Sequence, residues 1–174
     1  MRLLSVDPGS TKVGVSIFED GELLHCARLH HRSEKATFTD RLNEQLEKLY
    51  LEFLSLIRVW EVTHVCWEIV PAIGNMSHKD FVVSVSAALK CLAFHYRLPW
   101  QGIAAVAAKK AIVGDHKATK IQVREKVLEL YPDIKSQFGV TTGQYDAFDS
   151  VIIGLACQKK GVWAVPDPED AEWL

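Results

Sequence analysis

The opening thirty residues constrain the fold most. Three apolar segments, Arg2 to Asp7, Val13 to Phe18 and Leu23 to Leu29, follow one another with only short turn-forming stretches between them. Pro8-Gly9-Ser10-Thr11 fills the first gap and Asp20-Gly21 lies in the second. An Asp-Gly step between apolar runs signals a hairpin, because both residues tolerate the positive φ that a right-twisted two-residue turn demands. A chain that begins this way begins as a β-meander, and the sheet then needs an apolar layer to cover it.

The rest of the sequence supplies that layer. Leu42, Leu46, Leu49, Phe53, Leu56 and Trp60 recur every three or four residues, so a helix is expected from about Thr39 to Trp60, with Thr37 and Asp40 as its capping start. Thr63 to Val70 reads as a strand carrying Glu68, Pro71 to His78 as a loop, Lys79 to Tyr96 as a helix and Gln101 to Val106 as a strand. Ala118 to Leu130 is a helix ended by Pro132, Asp133 to Gly143 a loop, and Gln144 to Lys160 the last helix. A meander followed by alternating strands and helices implies an α/β fold, a mixed five-stranded sheet with helices on both faces.

With 174 residues, 48% hydrophobic and 24% charged, the chain can form one domain whose core needs neither disulfide nor structural metal. No stretch reaches the ~18 consecutive apolar residues of a membrane span, and the acid at Asp7 breaks any signal-peptide layout. Cys26, Cys66, Cys91 and Cys157 are far apart and form no CxxC pair. They read as small core residues in a reducing compartment, which places the chain in the cytoplasm, away from membranes. The net charge of −2 is uninformative, but its distribution is not. Between Lys109 and Lys126 six basic residues face two acidic ones, while Asp167, Glu169, Asp170 and Glu172 in the tail face none. A basic segment of this kind can meet phosphates, although on charge alone it is equally a solvated helix face.

Carboxylates stand at three places where core residues are expected. Asp7 ends the first strand, Glu68 lies in the run Val65-Cys66-Trp67-Glu68-Ile69-Val70, and Asp146 and Asp149 share one face at the start of the last helix. Singly, each has a simpler reading: a turn former, an exposed strand residue, charges at a helix N-terminus. Together they gather acids at the ends of separate elements, and carboxylates that converge in this way need a cation, for which Mg²⁺ is the hard-oxygen choice.

Leu4-Ser5-Val6-Asp7-Pro8-Gly9-Ser10-Thr11-Lys12-Val13-Gly14 resembles the opening motif of RuvC-type Holliday junction resolvases, of the RNase H-like superfamily. Glu68, the segment Lys109-Lys110-Ala111-Ile112-Val113-Gly114 with Lys120-Ile121-Gln122-Val123, and Asp146-Ala147-Phe148-Asp149-Ser150 resemble that family's strand glutamate, lysine-bearing segment and closing DxxD helix, in the same order. The resemblance implies an RNase H-like nuclease domain over residues 1–160, followed by an acidic tail at 161–174. It implies that Asp7, Glu68, Asp146 and Asp149 bind two Mg²⁺ or Mn²⁺ ions for in-line phosphodiester cleavage, leaving 5′-phosphate ends. Lys109 and Lys120 take the family's catalytic lysine positions, with Lys110 one residue away from the first. Lys110, Lys117 and Arg124 become DNA contacts. Where family members place an aromatic wedge, this chain reads Ile69-Val70-Pro71-Ala72-Ile73, so Ile73 or Met76 is the apolar substitute. The expected partners are a four-way junction or other branched DNA, a second copy of the chain in a homodimer, and a branch-migration helicase. The alternatives are a broader flap or fork nuclease, a branched-DNA binding domain that does not cut, and a sugar-kinase-type phosphotransferase, for which the chain is too short.

Overall fold

The side-chain alternation of strand β1 (Arg2–Asp7) decides what each layer receives. In the computed structural model, which describes residues 1–9, 12–30, 33–35, 37–69 and 76–166 (without the side chains of Phe38 and 76–79), Leu4 and Val6 enter one apolar layer and Leu3 enters the other. Ser5 and Asp7 follow Leu3 to its face by the two-residue period. β1 is the central strand of a five-stranded sheet in the order β3-β2-β1-β4-β5. It pairs antiparallel with β2 (Lys12–Glu19), which pairs antiparallel with β3 (Glu22–His30). On its other side β1 runs parallel to β4 (His64–Glu68), and β4 runs parallel to β5 (Trp100–Ile103). The hairpin between β2 and β3 turns on Asp20 and Gly21, both at positive φ, as the Asp-Gly step predicts. The Met1 amine bonds the Asp20 carboxylate and ties the turn to the chain start.

Helices cover both faces. α1 (Phe38–Val59) and α2 (Met76–His95) bring Leu49, Phe53, Phe81, Val85 and Leu89 to the layer of Leu4, Val6 and Val65. α1 is capped by Thr37, whose hydroxyl accepts from the Asp40 amide. The opposite layer holds α3 (Ala105–Ile112), α4 (Lys120–Leu130), α5 (Ile134–Phe138) and α6 (Tyr145–Lys160).

α6 lies directly on β1 and β2. A methyl group at Gly14 would sit 1.8 Å from the Asp146 carbonyl oxygen, and one at Gly154 would sit 2.4 Å from the Phe18 ring. Below the helix, Ser5, Ser16 and Cys26 are cross-strand partners in one row over β1, β2 and β3. Ser5 Oγ donates to the Ser150 carbonyl at 2.7 Å, Ser16 Oγ and Ser150 Oγ are 2.6 Å apart, and the Ala147 carbonyl accepts from Ser150 Oγ and Cys26 Sγ.

The structure departs from expectation in four places. Residues 105–112 form a helix, so the strand expected over 101–106 stops at Ile103. The run Ala104-Ala105-Val106-Ala107-Ala108 has no period that separates a buried strand from a buried helix, and its alanines favour the helix. Five residues of the expected 133–143 loop form α5, with Ile134 buried. α2 begins at Met76, inside the loop expected over 71–78. Cys91 is exposed on α2, while the other three cysteines are buried as expected. Ala164 pairs with Trp100 through two 2.8 Å backbone bonds, and the Trp163 ring meets His64 edge-on at 5.0 Å, so residues 161–166 cover part of the β5 edge.

Gly14→Ala is predicted to lower stability by roughly 2 kcal/mol or more, since backbone rather than a flexible side chain must move. Urea denaturation beside Gly143→Ala, whose added methyl meets open space, checks it. Equal midpoints for the two variants would contradict the direct seating of α6.

Candidate active site

The site forms where strands end and α6 begins. Asp7 and Glu68 are the last residues of the adjacent parallel strands β1 and β4. The register pairs Val6 with Trp67, so the two acids are neighbours on the next step, both on the α6 side. The carboxyl edge of parallel strands is where open α/β sheets place their ligands. Asp146 and Asp149 stand on the first turns of α6, one helical turn apart. Gly14 is the cross-strand partner of Asp7, and it admits the Asp146 backbone above it. The close helix seat therefore carries the DxxD pair to the strand-end pair.

All four carboxylates line one cavity of about 400 Å³ with Gly9, Lys12, Ala105, Ala108, Lys109, Lys120, Ile152 and Ile153. Ala105 and Ala108 keep the α3 wall low. Lys109 faces the cavity, whereas Lys110 is exposed on α3, which separates the two adjacent lysines. Lys117 lies exposed before α4, and Arg124 is half-buried on it. Ile73 lies outside the described residues, and Met76 opens α2 with its side chain outside them. Lys12, the first residue of β2, is a cavity residue that motif reasoning passed over. Its signal was its place in the same turn as Asp7 and on the face shared by Gly14 and Ser16.

The electrostatics are those of crowded like charges. Burial, then repulsion from Glu68, Asp149 and Asp146, holds the Asp7 carboxyl well above the usual aspartate range, and it shares a side-chain hydrogen bond with Glu68. Burial and Asp149 raise Glu68, against the hydrogen bond with Asp7 and the charges of Lys109 and Lys120. Burial pushes Asp149 up to about 6, with Lys120 and Lys109 pulling it back and Asp146 adding to the rise. The ammonium groups thus relieve only part of the acidic crowding.

Such a donor set fits a hard divalent cation. Its oxygens are carboxylate oxygens, and a 2+ charge would relieve the repulsion that the lysines leave. Among the described residues, no three acidic, histidine or cysteine side chains are drawn together tightly enough to chelate one ion unaided.

The mixed five-stranded sheet with helices on both faces and four carboxylates gathered beside its carboxyl edge defines the class as an RNase H-like fold. A family model described as crossover junction endodeoxyribonuclease RuvC matches residues 3–153, and the chain belongs to that family, whose nucleases depend on divalent metal. It is 31% identical over 160 residues to the crossover junction endodeoxyribonuclease RuvC of Trichlorobacter lovleyi, covering 89% of this chain and 83% of that protein. The Pelobacter propionicus protein of the same name is 28% identical, with 89% and 84% covered. The Thermus thermophilus RuvC structure shares the fold with a TM-score of 0.71 at 17% identity, covering 95% of this chain and 99% of that one. A second structure of the Thermus protein, in complex with a Holliday junction substrate, aligns with a TM-score of 0.70. Among the described residues, no helix is long and apolar enough to cross a membrane.

The pKa shifts fix a sign. A carboxyl raised in the folded state binds more protons there than in the unfolded chain, so stability falls as pH rises between the two values. For Asp149 that window runs from the ordinary 3.8 to about 6. In EDTA, Asp149→Asn is expected to match wild type near the lower end of this window. Above its upper end the variant should be more stable, by up to roughly 3 kcal/mol. Melting curves across the window check this, and a gap independent of pH would contradict it. Added Mg²⁺ should raise the wild-type melting temperature most at the alkaline end.

Proposed function

We propose that this chain resolves four-way DNA junctions by paired, symmetric phosphodiester cleavage that leaves 5′-phosphate ends, with residues 1–160 as the catalytic unit. The observation that carries the reading is the convergence of Asp7, Glu68, Asp146 and Asp149 from three separate elements on one cavity that also holds lysines. Membership in the crossover junction endodeoxyribonuclease family supports the substrate class.

In this reading the four carboxylates hold two Mg²⁺ or Mn²⁺ ions. When bound, such ions activate water and stabilise the leaving 3′ oxygen. The chain's own residues do the rest. Lys109 and Lys120 sit in the cavity wall, where they offset charge on the scissile phosphate. Lys12 meets a neighbouring phosphate from the β2 side of the same cavity. Lys110, Lys117 and Arg124 extend the positive surface along α3 and α4, where each neutralised phosphate adds salt-dependent affinity. Ile73 or Met76 stands in for the aromatic wedge. A junction has two-fold symmetry, so paired nicks call for two sites and hence a homodimer. The small residues Ser84, Ser86, Ala87 and Ala88 of α2 are proposed for close packing in that contact. A branch-migration helicase is the further partner, and the cytoplasm is the proposed location.

A second reading is a nuclease of wider scope that also cuts flaps and forks. The aliphatic sequence Ile69-Val70-Pro71-Ala72-Ile73 favours it, since no aromatic side chain there can stack on an opened base step.

Asp7→Asn and Asp146→Asn are each expected to slow Mg²⁺-dependent cleavage of an immobile junction by roughly 1000-fold, with junction affinity retained in a gel-shift assay. Symmetric nicks by wild type, with flaps and forks cut poorly, support resolution. Equal cutting of all branched substrates supports the wider nuclease, and tight binding without metal-dependent cleavage of any substrate overturns both. Lys12→Ala should reduce the slope of log affinity against log salt by about 1; an unchanged slope would remove Lys12 from the phosphate path.

A further inference from the structure

Tyr145 is the first residue of α6 and directly precedes Asp146. It is half-buried between two helices. Two cations from α4 face its ring: Lys120 Nζ lies 5.8 Å from the ring centroid and the Arg124 guanidinium carbon 5.9 Å. Both distances fall within the range at which the negative face of an aromatic ring attracts a cation.

This contact bears on the cavity because Lys120 is both a ring partner and a cavity residue. Its ammonium is at the end of a flexible four-carbon stem on an exposed first turn, where an unrestrained lysine samples many rotamers. Among the described residues, neither Lys120 nor Arg124 forms a close ion pair. The carboxylates of the cluster act on Lys120 through the field rather than through a short bond. The ring is the group that can set where the lysine head rests. It also joins the N-terminal turn of α4 to the first turn of α6, the two places from which Lys120, Asp146 and Asp149 enter the cavity.

We infer that Tyr145 is a positioning residue, whose ring holds the Lys120 ammonium over the carboxylate cluster with Arg124 as the second cation of the pair. The inference rests on the reading that this cavity cuts phosphodiester bonds and adds to it a residue that touches neither metal nor the scissile phosphate. The part of the tyrosine that matters is the ring face, so the hydroxyl is dispensable.

The test is single-turnover cleavage of an immobile junction in Mg²⁺, with affinity measured separately. Tyr145→Leu is expected to slow the cleavage rate by roughly 2- to 5-fold, the range the one exposed cation–π contact to Lys120 supports, with affinity within about two-fold of wild type. Tyr145→Phe is expected to cleave at the wild-type rate. In a Lys120→Ala background, Tyr145→Leu should cause no further loss, because the residue acts through the lysine. Circular dichroism melting checks that each variant is folded, and Tyr145→Met serves as the second non-aromatic variant if the leucine form is not. The inference is overturned if Tyr145→Leu cleaves like wild type, if Tyr145→Phe is as slow as Tyr145→Leu, if only affinity changes, or if the losses at Tyr145 and Lys120 multiply. A wild-type protein that cuts no substrate would instead defeat the nuclease reading itself.

Discussion

Helix α6 rests on the sheet backbone to backbone where Asp146 crosses Gly14, and the site's geometry is set at that crossing. Gly14 pairs with Asp7 across the β1–β2 ladder, so the absence of a side chain there brings two acids from opposite ends of the sequence to one place. Further along, Gly154 gives the same helix room over Phe18 and Ser5. Between the two glycines the buried hydroxyls of Ser5, Ser16 and Ser150 fix the rotation of the helix about its axis. A turn of the helix in either direction would leave buried hydroxyls unpaired, at about 1–3 kcal/mol each. Close approach sets the height of the DxxD pair, and the serine row sets which way it faces.

The seating has to be firm because what it holds is unfavourable without a cation. Burial and mutual repulsion raise Asp7, Glu68 and Asp149, and Lys109 and Lys120 offset only part of that. A looser scaffold would let the acids drift apart into solvent. The apolar layers on both faces of the sheet, with Phe18, Phe53 and Phe148 fully buried, supply the stability against which this local strain is held. Charge crowding is then a stored tendency to take up divalent cations, which matches a family of metal-dependent nucleases.

Much of this was legible in the sequence. Turn chemistry and alternation marked the strands, and β1 and the Asp20-Gly21 hairpin came out as read. The four acids stood out as carboxylates where core residues are expected, and the structure brings them to one cavity. Three things were not. The alanine-rich run at 104–108 carries no period, so α3 was hidden, and with it the phase that turns Lys109 toward the cavity and leaves Lys110 outside. The row of Ser5, Ser16 and Cys26 exists only through strand register, which sequence spacing within a single strand does not reveal. Lys12 and Tyr145 belong to no spacing pattern; they matter because of what faces them in space.

The strands, the glycine seat and the four acids all serve one claim, that the carboxyl edge of β1 and β4 together with the start of α6 forms a divalent-metal centre. Anomalous scattering from crystals of the protein–junction complex grown with Mn²⁺ tests it most directly. Two peaks are expected inside the cavity, among Asp7, Glu68, Asp146 and Asp149. Manganese bound elsewhere on the chain, with this cavity empty at saturating metal and DNA, would contradict it.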